Sequence, residues 1–175
     1  DGSRVLAGSG STDRSTVADP RAKRAIAELN DAPPAGPREG STPNALALDA
    51  AGTRLFVAEA DNNAIGIFDL SANTSGVATA TGRDSLAGRL PTEWYPTAVI
   101  AAGDTLLVAN GKGRGTSPDR DYPHPGTGVH TTRPRTYTLG QLEGSVMPAP
   151  IARASGAELA GLTQRVERAN GWRDV

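Results

Sequence analysis

A stretch near the N-terminus recurs 50 residues later without a gap. Gly2-Ser3-Arg4-Val5-Leu6-Ala7 stands over Gly52-Thr53-Arg54-Leu55-Phe56-Val57, and Ser15-Thr16-Val17-Ala18-Asp19 over Ile65-Gly66-Ile67-Phe68-Asp69. A third copy, Gly103-Asp104-Thr105-Leu106-Leu107-Val108-Ala109-Asn110, aligns with Gly52 through Glu59. The segments upstream match as well, Pro43-Asn44-Ala45-Leu46-Ala47-Leu48 with Pro96-Thr97-Ala98-Val99-Ile100-Ala101. Repetition at such a period means that one supersecondary unit is stacked on copies of itself, because a single unit cannot bury its own apolar face.

Each unit reads as short strands. Ala45 to Asp49 is a strand, and Asp49-Ala50-Ala51-Gly52 a hairpin turn whose glycine supplies a positive φ. Arg54 to Glu59 is an apolar strand short enough to be buried on both faces. Asp61-Asn62-Asn63 is the next turn, since Asn and Asp tolerate the left-handed region. From Ala64 to Leu70 the pattern alternates, with Ile65 and Ile67 on one face and Phe68 and Leu70 on the other. Gly76 to Gly82 and Leu86 to Leu90 then supply the outer strand and its connection. Four antiparallel strands per repeat make a propeller blade, and a period of 50 implies loops larger than those of a blade of roughly 40–45 residues.

The expected fold class is therefore all-β: a partial β-propeller of about three four-stranded blades with a C-terminal helix. Residues 1–40 form a partial blade and connection, 41–92 a blade, 93–152 a blade with a long loop over 111–135, and 153–175 an exit helix or interdomain connector. Closure takes roughly 4–8 blades, and the chain opens on Asp1-Gly2-Ser3-Arg4 with no signal peptide. The expectation is a contiguous piece of a longer propeller.

Composition narrows the function classes. With 18 basic and 19 acidic residues, there is no polybasic surface for nucleic acid. The absence of cysteine excludes a disulfide framework, a thiol nucleophile and a thiolate metal site. No apolar run approaches the roughly 20 residues that span a bilayer.

Leu55-Phe56-Val57-Ala58-Glu59-Ala60-Asp61-Asn62-Asn63-Ala64-Ile65 resembles the YVTN-type repeat, a WD40-like propeller unit. Gly88-Arg89-Leu90-Pro91-Thr92-Glu93-Trp94-Tyr95-Pro96-Thr97-Ala98-Val99, together with Val108-Ala109-Asn110-Gly111-Lys112-Gly113, is similar to one subgroup. Its members are bacterial proteins in which such a propeller precedes a phosphoesterase domain of the alkaline phosphatase superfamily. The resemblance spans residues 40 to 172 and, more weakly, the first 30. It implies a periplasmic or secreted bacterial protein. It also implies that the metal ligands and the nucleophile belong to a downstream domain that no segment here matches. On that basis no cofactor is expected in this chain, any divalent metal sits in the downstream domain, and the partners are the rest of the propeller and that domain.

Candidate contact residues come from three places. Gly111 to Arg135 is too long for a blade connection and carries Lys112, Arg114, Asp119, Asp121, His124 and His130. Its glycines do not have P-loop spacing, and two aspartates with histidines are a candidate ligand set only if something holds them rigid. Trp94 and Tyr95 precede a blade start, where rings line a ligand pocket or, more commonly, wedge between blades. Asn110 ends the third copy of the apolar strand.

Ser155-Gly156-Ala157-Glu158 has capping-box spacing. Leu159, Leu162, Val166 and Ala169 follow at helical spacing, and Asn170-Gly171 is a stop signal. The stripe of Leu159, Leu162 and Val166 is expected, with the long loop, to meet a neighbouring domain. No Gly-x-Ser-x-Gly elbow is present. Function is accordingly expected to be that of a non-catalytic scaffold or binding segment of a larger phosphoesterase-like protein. The alternatives are an independent ligand- or protein-binding propeller, or a propeller hydrolase of the lactonase kind.

Overall fold

A computed structural model describes residues 2, 4–34, 40–70, 85–115 and 142–172. Three antiparallel sheets follow one another along the chain. The first contains β1 (Val5–Ser9), β2 (Arg14–Asp19) and β3 (Arg24–Asn30) in sequential order. The second contains β4 (Pro43–Leu48), β5 (Arg54–Glu59), β6 (Ala64–Asp69) and β7 (Ser85–Pro91). The third contains β8 (Pro96–Ala102), β9 (Thr105–Asn110) and β10 (Ser145–Pro150), and the helix α1 (Gly156–Ala169) closes the chain. This is a partial, propeller-like all-β fold.

The sequence repeat is a structural repeat. Gly2, Gly52 and Gly103 stand at the aligned turn positions, with φ of 69°, 67° and 58°. Only glycine enters that region without a steric cost. In the second sheet Pro43 lies opposite Glu59 and Ala45 opposite Ala58, with a bulge between. In the third sheet Pro96 lies opposite Asn110 and Ala98 opposite Ala109, with the same bulge.

Alternation along β5 and β6 produces two apolar layers. Phe56, Ala58, Ile65 and Ile67 join Leu90, Val99, Leu106, Val108 and Leu159 between the second sheet, the third sheet and the helix. Leu55, Val57, Phe68 and Leu70 point the other way and meet Val17 and Leu29 of the first sheet. Every residue from Leu55 to Phe68 that lies in β5 or β6 is buried, as a strand covered on both faces requires.

Among the described residues the first and third sheets have three strands and the second has four. After β10 the chain makes a short 3-10 turn, Ile151–Arg153, and then enters the helix. One expectation is corrected. The helix does not hold out its stripe to a neighbour. Leu159 and Val166 are buried and Leu162 half-buried, and the helix packs on β7. Gly88 lets it approach, since a Cβ there would stand 2.5 Å from Thr163 Oγ1 and 2.9 Å from Leu159 Cγ. Thr163 Oγ1 accepts from the Arg89 amide at 2.9 Å.

The capping box does not form either. Ser155 is the N-cap, but its hydroxyl donates to the Ala152 carbonyl, and Glu158 pairs with Arg153 at 2.6 Å instead of reaching back. Asn170-Gly171 does end the helix, with Gly171 at φ 70°. No helix among the described residues is long and apolar enough to cross a membrane.

Candidate functional site

Strand pairing puts the C-terminal ends of β1, β3, β5, β7 and β9 at one end of the stack. That end is tied together by a device used twice. Asp13 and Asn63 stand at equivalent turn positions, both with positive φ (49° and 50°). The carbonyl of Asp13 accepts from the Asp31 amide, and that of Asn63 from the Thr92 amide, each at 2.9 Å. The side-chain Oδ1 of Asp13 accepts from the Ser41 and Thr42 amides at 2.9 and 3.1 Å, and that of Asn63 from the Tyr95 amide at 2.8 Å. Each link joins one sheet to the entry of the next, and Thr42 and Tyr95 both adopt positive φ just before a proline.

Between the first and second sheets the joint carries charge. Glu59 and Arg89 form an ion pair at 2.7 Å, with side chains 0% and 3% exposed. The Arg89 guanidinium also donates to the carbonyls of Asp31 and Ala32 at 2.9 and 3.2 Å, and lies 5.1 Å from the ring centroid of Trp172. Asn62 Nδ2 donates to Glu59 Oε2 and to Ser41 Oγ at 2.7 and 2.8 Å. Ser15 Oγ donates to Asp31 Oδ2 at 3.2 Å, and Ser41 Oγ to the Asp31 carbonyl at 2.6 Å. Asn170 Nδ2 donates to the Asn62 carbonyl at 3.1 Å, so the helix end closes over the same joint.

Asp13, Asp31 and Glu59 are all buried, and each keeps one carboxylate oxygen without a hydrogen-bond partner among the described residues. Burial, reinforced by the Glu59 carboxylate nearby, pushes the Asp31 carboxyl up to about 7. Burial also raises Glu59, and the Arg89 guanidinium opposes that rise. Gly66 faces Glu59 from β6, and a Cβ there would sit on Glu59 Oε1. The pocket for this carboxylate is thus made by leaving out a side chain. Sequence reasoning missed the whole joint. Its one local signal is a glutamate closing the apolar run Leu55-Phe56-Val57-Ala58 beside a glycine-bearing strand.

The candidates chosen from sequence fall at the neighbouring end of the third sheet. Lys112 Nζ lies 4.3 Å from the Tyr95 ring centroid. Arg114 pairs with Glu93 at 3.1 Å, Ser145 Oγ donates to Glu93 Oε2, and Asn110 Nδ2 donates to Ser145 Oγ at 3.3 Å, which links β9 to β10. The Ser145 hydroxyl, followed by Arg114, holds the Glu93 carboxyl below its usual range. Trp94 is not a wedge between blades: it is 55% exposed, and Gly115 packs against its indole. Asn110 is buried at the position aligned with Glu59.

Asp119, Asp121, His124 and His130 lie outside the described residues, as does most of the loop that carries them. Leu159 and Leu162 pack in the apolar layer with Leu90 of β7, and Val166 is buried on the same helix. Among the described residues no group of three or more His, Asp or Glu side chains is arranged to hold a metal ion. A cleft of about 240 Å³ lies between the end of β7, β10 and the helix, with Leu90, Met147 and Leu162 in its wall and Arg165 at its rim.

No protein-family model and no curated protein matches the chain. Among solved structures it is similar to the hydrazine synthase of Kuenenia stuttgartiensis, at 19% identity and a TM-score of 0.50, over 63% of this chain and 27% of that one. A functionally unknown protein from Desulfotomaculum acetoxidans also matches, at 17% identity and a TM-score of 0.47, over 63% of this chain and 32% of that one. The chain thus spans about a third or less of the length of these two structures. At 19% identity the first likeness concerns the fold alone, that of a β-rich protein.

Proposed function

We propose that the chain is a non-catalytic propeller segment, a scaffold and binding surface within a larger bacterial phosphoesterase-like protein of the YVTN-repeat kind. The observation that supports this reading is where the unusual carboxyl groups are spent. Displaced titration at a cleft marks a candidate catalytic site. Here Asp31 and Glu59 are instead hydrogen-bonded to Ser15, Asn62 and Arg89 inside the joint between two sheets. The same groups hold backbone carbonyls and a helix end in place, which is structural work.

Chromogenic phosphate mono- and diesters and a simple lactone, each with Mg²⁺, Mn²⁺, Zn²⁺ or Ca²⁺, test the reading. The expected result is no turnover. Turnover that disappears on His124→Ala or Asp121→Asn overturns it.

A second reading, an independent binding propeller, is favoured by the exposed Trp94 beside the Tyr95–Lys112 stack and Arg114. Aromatic and arginine side chains of this kind anchor protein contacts. Reading the same gene downstream separates the two, because a metallophosphoesterase-type domain selects the first.

A further inference from the structure

β10 holds the place in the third sheet that β6 holds in the second, and β6 carries β7 on its outer edge. Among the described residues no strand lies outside β10. The backbone explains this. The Ile151 amide donates to the Asp104 carbonyl at 2.8 Å, in register with the pairing of β10 and β9. Amides alternate in direction along an antiparallel strand, so those of Met147 and Ala149 turn toward β9 and positions 146, 148 and 150 turn outward. Two of the three are Pro148 and Pro150, which have no amide hydrogen. The outer edge of β10 is left with one donor, on Val146, and is closed to a fourth strand.

The space beside that edge is the cleft of about 240 Å³ between β7, β10 and α1. Leu90, Met147, Ala149 and Leu162 form its apolar wall. Leu162 is half-buried where Leu159 and Val166 of the same helix are buried, and the cleft is what leaves it open. Three charged side chains border the apolar wall, and two are already neutralised. Arg153 pairs with Glu158 at 2.6 Å, and the Glu93 carboxylate is held by Ser145 and Arg114. The third, Arg165, is exposed and has no hydrogen-bond or ion-pair partner among the described residues.

We propose that this cleft binds a small amphipathic monocarboxylate, with its apolar body against Leu90, Met147 and Leu162 and its carboxylate on the Arg165 guanidinium. A planar guanidinium matches a carboxylate with two parallel hydrogen bonds. One uncompensated positive charge calls for one negative charge, and the nearby carboxylates of Glu93 and Glu158 oppose a dianion. A cavity of about 150 Å³ holds benzene, so this cleft has room for a phenyl ring with a short acid tail. The site does not depend on the scaffold reading of the chain.

The probe is 3-phenylpropionate, titrated into the full chain and followed by the methyl signals of Leu90, Met147 and Leu162 in NMR spectra. These should shift together and saturate with a Kd of about 1 mM or tighter, the range open to so small a ligand. The neutral 3-phenylpropionamide should bind about tenfold more weakly, and Arg165→Met should weaken the acid about tenfold while leaving the amide unchanged. Arg165 is exposed, so that variant should fold. The proposal is overturned by the absence of a saturable shift up to about 10 mM acid, by shifts centred on other residues, by equal affinity for acid and amide, or by an Arg165→Met protein that binds the acid as well as wild type. Tighter binding of phenyl phosphate overturns the assignment of a singly charged ligand. Methyls of Leu90 and Met147 already shielded from a soluble paramagnetic agent in the free chain overturn it too, because the cleft would then be filled by the chain itself. Binding without phosphoester turnover leaves the scaffold reading standing, and turnover without binding at the cleft sinks both.

Discussion

Replacing Arg89 with methionine keeps the stem of the side chain and removes the guanidinium. The variant loses the 2.7 Å ion pair to Glu59, the bonds to the Asp31 and Ala32 carbonyls and the contact with the Trp172 ring. Glu59 is 0% exposed, so it is left as a buried charge without its counterion. Breaking such a pair costs about 3–5 kcal/mol. Glu59 has one escape, which is to take up a proton. Starting from an ordinary value of 4.5, neutralising it at pH 7 costs about 3 kcal/mol, at about 1.4 kcal/mol per pH unit.

The loss at pH 7 is therefore about 3–5 kcal/mol, and it should shrink by about 2–3 kcal/mol at pH 5, where the proton is easier to obtain. Urea unfolding followed by circular dichroism and by Trp172 fluorescence reads both numbers. Adding Glu59→Met should restore about 2 kcal/mol or more, because removing both charges avoids the stranded one. A loss below about 1 kcal/mol, or a double variant no more stable than Arg89→Met alone, would refute the view that the pair locks the first sheet to the second.

Asp31→Asn tests the proton at the same joint. A carboxyl that titrates at about 7 when folded and near 3.8 when unfolded binds more protons in the folded state between those values. Its contribution is complete below pH 3.8 and is lost as pH rises through 7. The difference of about 3 units is worth about 4 kcal/mol, and the asparagine variant should lose that slope and gain on wild type at pH 8. Identical pH profiles for the two proteins would show that Asp31 does not hold the proton. Gly66→Ala should cost about 1–3 kcal/mol through the clash with Glu59, and the cost should fall in a Glu59→Ala background when both are measured by thermal melting. Leu159→Ala, in a helix position 3% exposed, should cost about 2–5 kcal/mol and should expose β7 amides to exchange before those of β6.

The repeat carried most of the architecture because its signal is local. Apolar runs of strand length, turns with Gly or Asn at left-handed positions, and an alternating β6 follow from φ/ψ preferences and period-two burial. These need no knowledge of what lies across the sheet. Leu55 and Phe56 could be assigned to opposite faces from order alone. The choice of partner for each face could not be made that way.

Nothing in the spacing of Leu159, Leu162 and Val166 says that β7 of the same chain, opened by Gly88, accepts them. Ser155 and Glu158 have the spacing of a reciprocal cap, yet the 3-10 turn that precedes them competes successfully, with the Ala152 carbonyl and Arg153 taking the two side chains. Asp13, Asp31, Glu59 and Arg89 are separated by as many as 76 residues, and each looks like an ordinary surface charge in its own segment. Only stacking brings them together, and only there does low polarity make their pairing and their protons matter. The sequence by itself determined the strands, the turns and the repeat, through short-range backbone and burial preferences. The tertiary structure decided which charges are buried and what the helix covers, because both depend on distances between segments that chain order does not encode.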